Sequence, residues 1–256
     1  MTHCVITGAA DGIGRALAGR FARTGVSVVG VDVDADRAAQ TRVDLERKGG
    51  TVSFVVADLG TEEGIDRAVE ALCGGPAIDV LVYNAGISAV GRFPEVRIDR
   101  QRAVIDLNLT APMVLTAELL KADQLAPGAT LVFVSSLSHF VSYPGAAAYA
   151  ASKTGLASYA RSLSAALADL HVLTVFPGPT RTAHARRYSP DNSREHRRMP
   201  PEALADRIYR AVVARKRVLI PGVGNRVFAT LGLWFPRVTE WAMRRAILDQ
   251  LNKSAG

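Results

Sequence analysis

The first 25 residues constrain the fold most strongly, because they combine an apolar strand, a glycine-rich turn and a helix. Residues 4–6 read as the strand, residues 7–14 as the turn and residues 15–23 as the helix. Glycines allow a sharp turn and a close approach of the backbone to a pyrophosphate at the helix N-terminus. The spacing is G-x3-G-x-G, which differs from the commoner G-x-G-x-x-G fingerprint. The segment therefore predicts a dinucleotide-binding turn formed by Gly8, Asp11, Gly12, Ile13 and Gly14.

Strand-like and helix-like segments alternate along the rest of the chain, a pattern typical of right-handed βαβ crossovers and a parallel sheet. The 256 residues, 48% of them hydrophobic, suit one domain with a sizeable core. We predict an α/β fold, a doubly wound Rossmann-type three-layer sandwich with a seven-stranded parallel sheet, over residues 1–222. Residues 223–256 are expected to form a helical extension and not an independent domain. Residues 183–200 are polar and basic, which favours a flap over the site.

Composition and charge exclude several classes of protein. The net charge is +7, but much of the excess lies between residues 181 and 217 without a nucleic-acid motif, so we expect no nucleic-acid partner. No apolar run is long enough to predict a transmembrane helix. A strand begins almost at the N-terminus and leaves no room for a signal peptide, and Cys4 and Cys73 resemble reduced thiols. A cytoplasmic location is therefore expected, and no cluster has metal-ligand spacing.

An acidic residue ends the second predicted strand. Asp32 lies about 20 residues after the glycine turn, where a carboxylate accepts hydrogen bonds from the ribose hydroxyls of NAD. Its charge would repel the 2′-phosphate of NADP, and Asp11 adds negative charge nearby. We therefore predict NAD as the cofactor, with NADP disfavoured. Asp58 and Leu59 follow the third strand and are predicted to contact the adenine.

A tyrosine and a lysine share one helical face later in the chain. Tyr149 and Lys153 are four residues apart, so the phenol and the ammonium should lie side by side. A neighbouring cation favours phenolate and is expected to lower the pKa of the phenol toward neutrality, as suits a general acid/base. Ser136 ends the apolar run 131–134 and could hold a substrate oxygen.

Other polar or small residues follow predicted strands or interrupt a predicted helix. Asn84, Ala85 and Gly86 follow the fourth strand, where the backbone can pass close to a ribose. Pro177 and Gly178 follow the sixth strand and can expose backbone groups to a nicotinamide amide. Asn108 lies inside a helical stretch over residues 100–120, where asparagine can disturb the backbone ladder.

Taken in order and spacing, these motifs resemble those of the short-chain dehydrogenase/reductase family. They are Thr7-Gly-x3-Gly-Ile-Gly14, Asn84-Ala-Gly86, Asn108, Ser136, Tyr149-x3-Lys153 and Pro177-Gly178, within a resemblance that covers about residues 2–222.

The resemblance implies roles for the matching residues. Tyr149 resembles the general acid/base, and Ser136 the hydroxyl that orients the substrate oxygen. Lys153 resembles the residue that lowers the pKa of Tyr149 and bonds the nicotinamide ribose. Asn108 resembles the residue that holds a water in a proton relay. Thr180 and Thr182 match contacts to the nicotinamide carboxamide and the phosphates.

The family also implies a small-molecule alcohol or ketone substrate and a homodimer or homotetramer. Some motifs, such as Pro177-Gly-Pro-Thr-Arg-Thr182, resemble a branch of ketone and acyl reductases that often use NADP. The expected substrate pocket contains Ser136, Tyr149, His139, Tyr143 and Phe93.

The C-terminal extension contains both tryptophans, Trp234 and Trp241, among several arginines. This combination is compatible with core packing, a subunit interface or peripheral contact with a membrane. Three alternatives to an NAD-dependent alcohol dehydrogenase stay open: an NADP-dependent 3-oxoacyl or lipid-like ketone reductase, a catalytically silent NAD-binding scaffold, and a basic protein that binds nucleic acid or membranes.

Overall fold

The computed structural model describes residues 1–189 and 191–248, and it contains alternating strands and helices. The strands are β1 (His3–Thr7), β2 (Ser27–Asp32), β3 (Val52–Val56), β4 (Ile78–Tyr83), β5 (Leu125–Val134), β6 (His171–Val175) and β7 (Val218–Leu219). The helices are α1 (Gly12–Ala22), α2 (Ala35–Glu46), α3 (Glu62–Cys73), α4 (Ile98–Ile105), α5 (Ala111–Lys121), α6 (Ala147–Ala166), α7 (Ala183–Tyr188), α8 (Pro201–Val213), α9 (Val223–Trp234) and α10 (Pro236–Met243).

The strands form one sheet in the order β3-β2-β1-β4-β5-β6-β7, and every neighbouring pair is parallel. The predicted fold class and strand number are confirmed. The chain moves outward from β1 to β3 and then returns to the other side of β1 with β4. In such sheets, ligands bind where the strand order reverses, outside the carboxyl ends of the strands.

Helices cover both faces of the sheet, which explains why its strands are continuously apolar. In β4, Val80 and Val82 point into the core that contains Phe21 and Ile208, and Leu81 points into the opposite core. The alternation follows the two-residue period of a strand. The sheet is therefore packed on both faces beneath the site that it carries.

Two stretches differ in detail from the sequence prediction. Strand β5 begins at Leu125, ahead of the apolar run 131–134, and includes Pro127 and Gly128. Gly128 has a φ of 72° at the point where the pairing with β4 shifts register. The predicted helix 100–120 is divided by one π-helical turn, Asp106–Thr110, which contains Asn108.

The continuous helical stretch Ile98–Lys121 is long and apolar enough to cross a membrane by length and composition alone. Leu115 and Leu119 on this stretch are fully buried against the sheet. Such packing accounts for the apolar residues on the side of this stretch that faces the sheet.

The C-terminal extension forms α9, α10 and a π-helical turn, Arg244–Leu248. The remainder of the predicted extension, residues 249–256, lies outside the described residues. The predicted flap contains α7 and a short 3-10 helix, Glu195–Arg197, with residue 190 also outside the description.

Candidate active site

The glycine turn lies at the reversal point between β1 and β4, and side chains would not fit there. A Cβ on Gly8 would lie 2.9 Å from Cα of Ala85, and one on Gly14 would lie 1.9 Å from the backbone oxygen of Gly8. Gly8 and Gly12 also have positive φ angles of 65° and 54°. The turn leads into the N-terminus of α1, so its backbone fits the predicted cradle for a dinucleotide pyrophosphate.

Side chains hold the turn against the end of β4. The hydroxyl of Thr7 accepts hydrogen bonds from the backbone nitrogens of Asn84 and Ala85, each at 3.0 Å. The Asn84 amide donates to the backbone oxygens of Thr7 and Gly8 at 3.0 and 3.1 Å. Asn84 therefore clamps the two strand ends together, while Ala85 and Gly86 line the cavity beside them.

The predicted ribose-binding carboxylate also supports the turn. Asp32 Oδ2 accepts a hydrogen bond from the backbone nitrogen of Ala10 at 2.8 Å, and Oδ1 accepts one from Asp34 at 3.1 Å. Arg37 lies nearby and pairs with Asp11 at 3.1 Å and Asp34 at 3.4 Å. The edge at β2 therefore carries both the predicted acid and one arginine.

Tyr149 lies on the first turn of α6 and lines the cavity with Ser136. Enough protein surrounds its hydroxyl that burial raises the pKa of Tyr149 to about 12, and a hydrogen bond with Ser136 partly opposes that rise. The expected lowering toward neutrality is therefore absent, because the main influence on the phenol is burial.

Lys153 also differs from the expectation. It is 4% exposed, and its Nζ donates a hydrogen bond to the backbone oxygen of Val134 at 2.9 Å. Nζ lies 5.9 Å from the ring centroid of Tyr149. Burial lowers the pKa of Lys153 to about 8, so the ammonium that was expected to act on the phenol is itself destabilised.

Asn108 is fully buried in the π-helical turn and uses its whole amide group. Oδ1 accepts from the backbone nitrogen of Ile87, and Nδ2 donates to the Ile87 oxygen, both at 2.9 Å. Nδ2 also donates to the Ser152 hydroxyl at 3.0 Å. The predicted disturbance of the helix is confirmed, since Ala111 donates to Asp106, five residues earlier, within the bulge.

Asn108 and Lys153 approach each other at Gly86. A Cβ on Gly86 would lie 3.0 Å from Asn108 Oδ1 and 3.3 Å from Lys153 Nζ. Gly86, in the loop after β4, therefore lies against both the Asn108 amide and the Lys153 ammonium, with little room for a side chain. A glycine at this position keeps both groups close to the cavity.

One cavity of about 980 Å³ extends from the glycine turn to the C-terminal helices. Fifteen of the predicted site residues line it: Gly8, Asp11, Gly12, Ile13, Asn84, Ala85, Gly86, Ser136, Tyr143, Tyr149, Lys153, Pro177, Gly178, Thr180 and Thr182. Elements remote in sequence, from β1 to the turn after β6, therefore supply one surface.

Other predicted site residues do not line this cavity. Gly14 and Asn108 lie behind its wall, and Asp32 lies at the sheet edge beside the turn. Asp58 and Leu59 follow β3 at the same edge. The carboxylate of Asp58 accepts from the backbone nitrogen of Gly60, while Leu59 is buried.

The structure also keeps His139 and Phe93 away from the cavity, contrary to the prediction. The His139 ring stacks on Phe176, with centroids 5.2 Å apart, and packs on Phe140 at 4.8 Å. Phe93 is 69% exposed in a short 3-10 helix, Phe93–Glu95, outside the cavity. Aromatic packing in the first case and surface position in the second explain the difference.

The side chains around the cavity are those of a cofactor cradle and a proton-transfer group. No group of three or more potential metal ligands occurs within residues 1–189 and 191–248. The cradle that fits a dinucleotide instead lies next to a tyrosine, a serine and a lysine.

A sequence profile described as short chain dehydrogenase matches residues 2–193. This chain belongs to the short-chain dehydrogenase/reductase family. The sequence resemblance is therefore confirmed.

Relatives of this short-chain dehydrogenase/reductase act on several substrates. The 1-deoxy-11-beta-hydroxypentalenate dehydrogenase of Streptomyces exfoliatus is 40% identical over 181 residues, which are 68% of this chain and 66% of that relative. The chain thus matches slightly less than two thirds of that relative's length. The 3beta-hydroxysteroid dehydrogenase 1 of Eggerthella lenta is 32% identical over 186 residues, or 70% of each chain.

A solved structure is similar over a greater length. The short-chain dehydrogenase from Sphingobium yanoikuyae in complex with NADPH has a TM-score of 0.79 and 26% identity, and the match covers 91% of this chain and 93% of that one. This chain is accordingly an oxidoreductase of a family that uses a nicotinamide cofactor.

Sequence reasoning missed several cavity residues of this short-chain dehydrogenase/reductase. They come from the flap and the C-terminal extension, and include His184, Tyr188, Arg198, Asn225 and Phe228. Burial, with the charges of Lys153 and Arg187, lowers the pKa of His184 to about 4, so its imidazole is neutral at neutral pH. No motif marks these positions, although the apolar pattern of α9 could have indicated that one of its faces is covered.

Proposed function

We propose that this protein is an NAD-dependent oxidoreductase that interconverts a secondary alcohol and a ketone. The observation that carries the proposal is the convergence of Tyr149, Ser136 and Lys153 in one cavity with the glycine turn. A cofactor bound at that turn would supply the hydride on reduction and accept it on oxidation. The residues Gly8, Gly12, Ile13, Asn84 and Thr182 would hold it.

The chain's own residues perform the proton chemistry. The Ser136 hydroxyl donates a hydrogen bond to the substrate oxygen and stabilises charge on it. Tyr149 gives its phenolic proton to that oxygen during reduction and removes the proton from the alcohol during oxidation. The positive charge of Lys153 stabilises the phenolate that forms, and Asn108 fixes the loop beside it through Ile87.

Asp32 supports a preference for NAD. Its carboxylate stands at the end of β2, beside the glycine turn, where ribose hydroxyls can donate to it. A 2′-phosphate would meet the same negative charge and the charge of Asp11.

Arg37 supports the rival, an NADP-dependent ketone or 3-oxoacyl reductase. Its guanidinium lies beside Asp11 and Asp34 at the same edge and could turn toward a phosphate. The similar Sphingobium enzyme was solved with NADPH. A coenzyme preference measured with Arg37→Gln separates the two proposals, because only the rival loses affinity with this change.

The cavity favours a bulky apolar substrate. Beyond Tyr149 it is lined by the apolar side chains of Val141, Phe228, Met243 and Ile247. The hydroxypentalenate and hydroxysteroid dehydrogenases named above support a polycyclic or lipid-like secondary alcohol as the substrate class.

Self-association through the helices next to the site is part of the proposal. Ile98, Met113 and Val114 leave apolar surface exposed on α4 and α5, which suits a homodimer or homotetramer. Light scattering of the purified chain tests this part separately. A cytoplasmic location likewise remains a proposal.

The proposed function is tested with NAD and a panel of polycyclic secondary alcohols, with the absorbance of NADH as the readout. Turnover that is lost in Tyr149→Phe supports the proposal. A catalytically silent scaffold would bind NADH and turn over none of the alcohols or matching ketones. A nucleic-acid-binding protein would instead show salt-dependent retention on DNA.

A further inference from the structure

Arg198 belongs to the flap and lines the cavity, but it is not one of the residues of the proposed reaction. Its Nη2 donates to the Ser189 hydroxyl and to the backbone oxygen of Asp191, each at 2.9 Å. The next residue, Met199, is fixed by backbone hydrogen bonds to Pro179 and Arg181 at 3.2 and 2.9 Å. Hydrogen bonds therefore position both the Arg198 guanidinium and the backbone of the residue that follows it.

The guanidinium nevertheless lacks an anionic partner in the described part of the chain. Nη1 is buried without a hydrogen-bond acceptor, and no carboxylate forms an ion pair with Arg198 among residues 1–189 and 191–248. Asp191 is close by, but its two carboxylate oxygens accept from the backbone and hydroxyl of Ser193 at 2.7 and 2.9 Å. Burying an N–H donor of a charged group without an acceptor costs free energy.

The surroundings place this charge in the substrate half of the cavity. Tyr143 lines the cavity too, feels the positive charge of Arg198, and has its ring centroid 6.3 Å from that of Tyr149. Arg194 adds a second positive charge to the same lining, against the negative charge of Asp191, whose carboxylate oxygens already accept hydrogen bonds. The proton-transfer group Tyr149, the neighbouring Tyr143 and the Arg198 guanidinium thus line the same cavity.

We propose that Arg198 binds a carboxylate of the substrate, so that the substrate class is a bulky hydroxy or keto acid. This inference rests on the proposed function, since it assigns a second recognition group in the same cavity. A guanidinium matches a carboxylate with two parallel hydrogen bonds. Because Nη1 is enclosed, the pairing accompanies a small movement of the flap or of Tyr143.

The test compares a decalone carboxylate, a bicyclic ketone with one ring carboxylate, with its methyl ester. Dissociation constants of both probes are measured in the presence of NAD, which cannot reduce the ketone, and kcat/KM values are measured in the presence of NADH. We expect the wild type to prefer the acid by about tenfold to a hundredfold, mainly through KM. Arg198→Gln should reduce the preference to about onefold, and Arg198→Lys should retain part of it. Arg197→Gln, an exposed neighbour outside the cavity, should keep the wild-type ratio.

The outcomes separate this inference from the proposed function. Turnover without any acid preference, or a preference that survives in Arg198→Gln, overturns the role of Arg198 and leaves the oxidoreductase intact. An acid preference in binding without turnover of either probe supports Arg198 and counts against the proposed function. Weak, equal binding of both probes by the wild type also overturns the inference.

The C-terminal helices have a second apolar side, on their outer surface. Phe228 on α9 lines the cavity, and Ala229 and Gly232 are buried. On the opposite side of the same helix, Val223, Val227, Leu231 and Trp234 recur at helical spacing and are all exposed. Helix α9 therefore has two apolar faces, of which the protein covers only one.

The exposed apolar surface continues beyond α9. Phe235, Val238 and Trp241 are exposed as well, and the two tryptophans have exposed fractions of 76% and 59%. We call the exposed apolar residues of α9 and α10, with Phe235, the C-terminal apolar surface. Single exposed apolar residues are ordinary, but a group of this size marks an interaction site.

Arginines accompany this surface. Arg226, Arg237, Arg244 and Arg245 are exposed, against one acidic residue, Glu240, between residues 223 and 248. None of the four takes part in an ion pair within the described chain. Arg245 lies over the ring of Trp241, with its guanidinium carbon 4.9 Å from the centroid.

We infer that the C-terminal apolar surface docks on an anionic lipid bilayer. Aromatic and aliphatic side chains enter the boundary of the acyl chains, and arginines pair with anionic headgroups. The charge of the surface favours this occupant over a second copy of the chain, which would bring two sets of arginines together.

Both tryptophans of the chain belong to this surface, so their fluorescence reports on it directly. The full chain is mixed with phosphatidylcholine vesicles that contain about 30% phosphatidylglycerol. A second sample is mixed with neutral vesicles of phosphatidylcholine alone. We expect a blue shift and co-sedimentation with the anionic vesicles, reduced by salt. Arg237→Gln with Arg244→Gln should weaken binding about tenfold or more, whereas Arg100→Gln with Arg102→Gln should not.

Binding that is equal for neutral and anionic vesicles, or unchanged in the Arg237→Gln and Arg244→Gln variant, contradicts the inference. A fluorescence shift that depends on protein concentration and needs no vesicles identifies a second copy as the occupant and overturns it. Trp241→Phe provides a variant that keeps an aromatic side chain, and it should retain docking.

Discussion

The ammonium group of Lys153 donates a hydrogen bond to the backbone oxygen of Val134, 2.9 Å away, at the end of β5. This contact ties α6 to the central sheet directly beside Ser135, whose hydroxyl donates to the Lys153 backbone oxygen at 2.8 Å. The lysine therefore joins the catalytic helix to the sheet in addition to its role near Tyr149. Its burial makes its charge sensitive to pH in an accessible range.

Stability should rise with pH because of Lys153. Its pKa is lowered to about 8 in the folded chain, so between about pH 8 and its ordinary value the unfolded chain binds more protons. The free energy of unfolding should increase across that window by on the order of 3 kcal/mol. Urea unfolding between about pH 7.5 and about pH 10 should show this rise in the free energy of unfolding for the wild type. Lys121→Met, a change at an exposed lysine, is the control and should show the same rise. Lys153→Met should lack it, and an identical rise in that variant would contradict the assignment.

Tyr149→Phe should reduce kcat by about 10²–10⁴-fold, because it removes the group that transfers the proton. Binding of NADH should stay within about twofold, since a buried phenylalanine retains the ring. Tyr143→Phe is the matched control, with its ring centroid 6.3 Å from that of Tyr149, and it should keep most of the turnover. Steady-state rates with a ketone substrate measure kcat of both variants, and a calorimetric titration measures their binding of NADH.

Asp32→Asn should weaken NAD and relax the discrimination against NADP. The change removes the charge that repels a 2′-phosphate but leaves an amide oxygen that can accept from Ala10. A loss of about 1.5–3 kcal/mol of NAD selectivity is expected for a charged hydrogen bond. Asp34→Asn is the control, because asparagine also caps the N-terminus of α2. The ratio of kcat/KM for the two coenzymes reports the result, and an unchanged ratio in Asp32→Asn would argue for Arg37 as the determinant.

Asn108→Ala should destabilise the fold by about 3 kcal/mol. It would leave the partly buried backbone nitrogen and oxygen of Ile87 without their partners and would remove the buried hydrogen bond to the Ser152 hydroxyl. Asn192→Ala removes one exposed hydrogen bond to Arg186 and should cost less than about 1 kcal/mol. Urea midpoints of the two variants test the difference, and equal midpoints would show that the π-helical turn does not depend on Asn108.

The sheet and its cofactor cradle could be predicted because they follow from local chemistry. Apolar strands buried on both faces, and glycines where a Cβ would meet Ala85 or Gly8, leave a clear mark in the sequence. The pKa of Tyr149 could not be predicted, since it depends on how much protein surrounds the hydroxyl and not on the spacing to Lys153.

The substrate half of the cavity was also beyond sequence reasoning. His139 follows Ser136 closely, yet it stacks on Phe176, the residue that follows β6. Arg198 and Phe228 reach the cavity from a flap and a helix that no motif marks. Such contacts arise from tertiary packing, which a pattern in one segment does not contain.

The measurement that tests the account most directly is a calorimetric titration of the protein with NAD, NADH, NADP and NADPH. We predict that NADH binds most tightly and that NADPH binds at least about tenfold more weakly, as repulsion by Asp32 requires. Tighter binding of NADPH would contradict the preference for NAD and support the reductase alternative. Binding of none of the four would contradict the central claim that this cavity carries out nicotinamide-dependent oxidation and reduction.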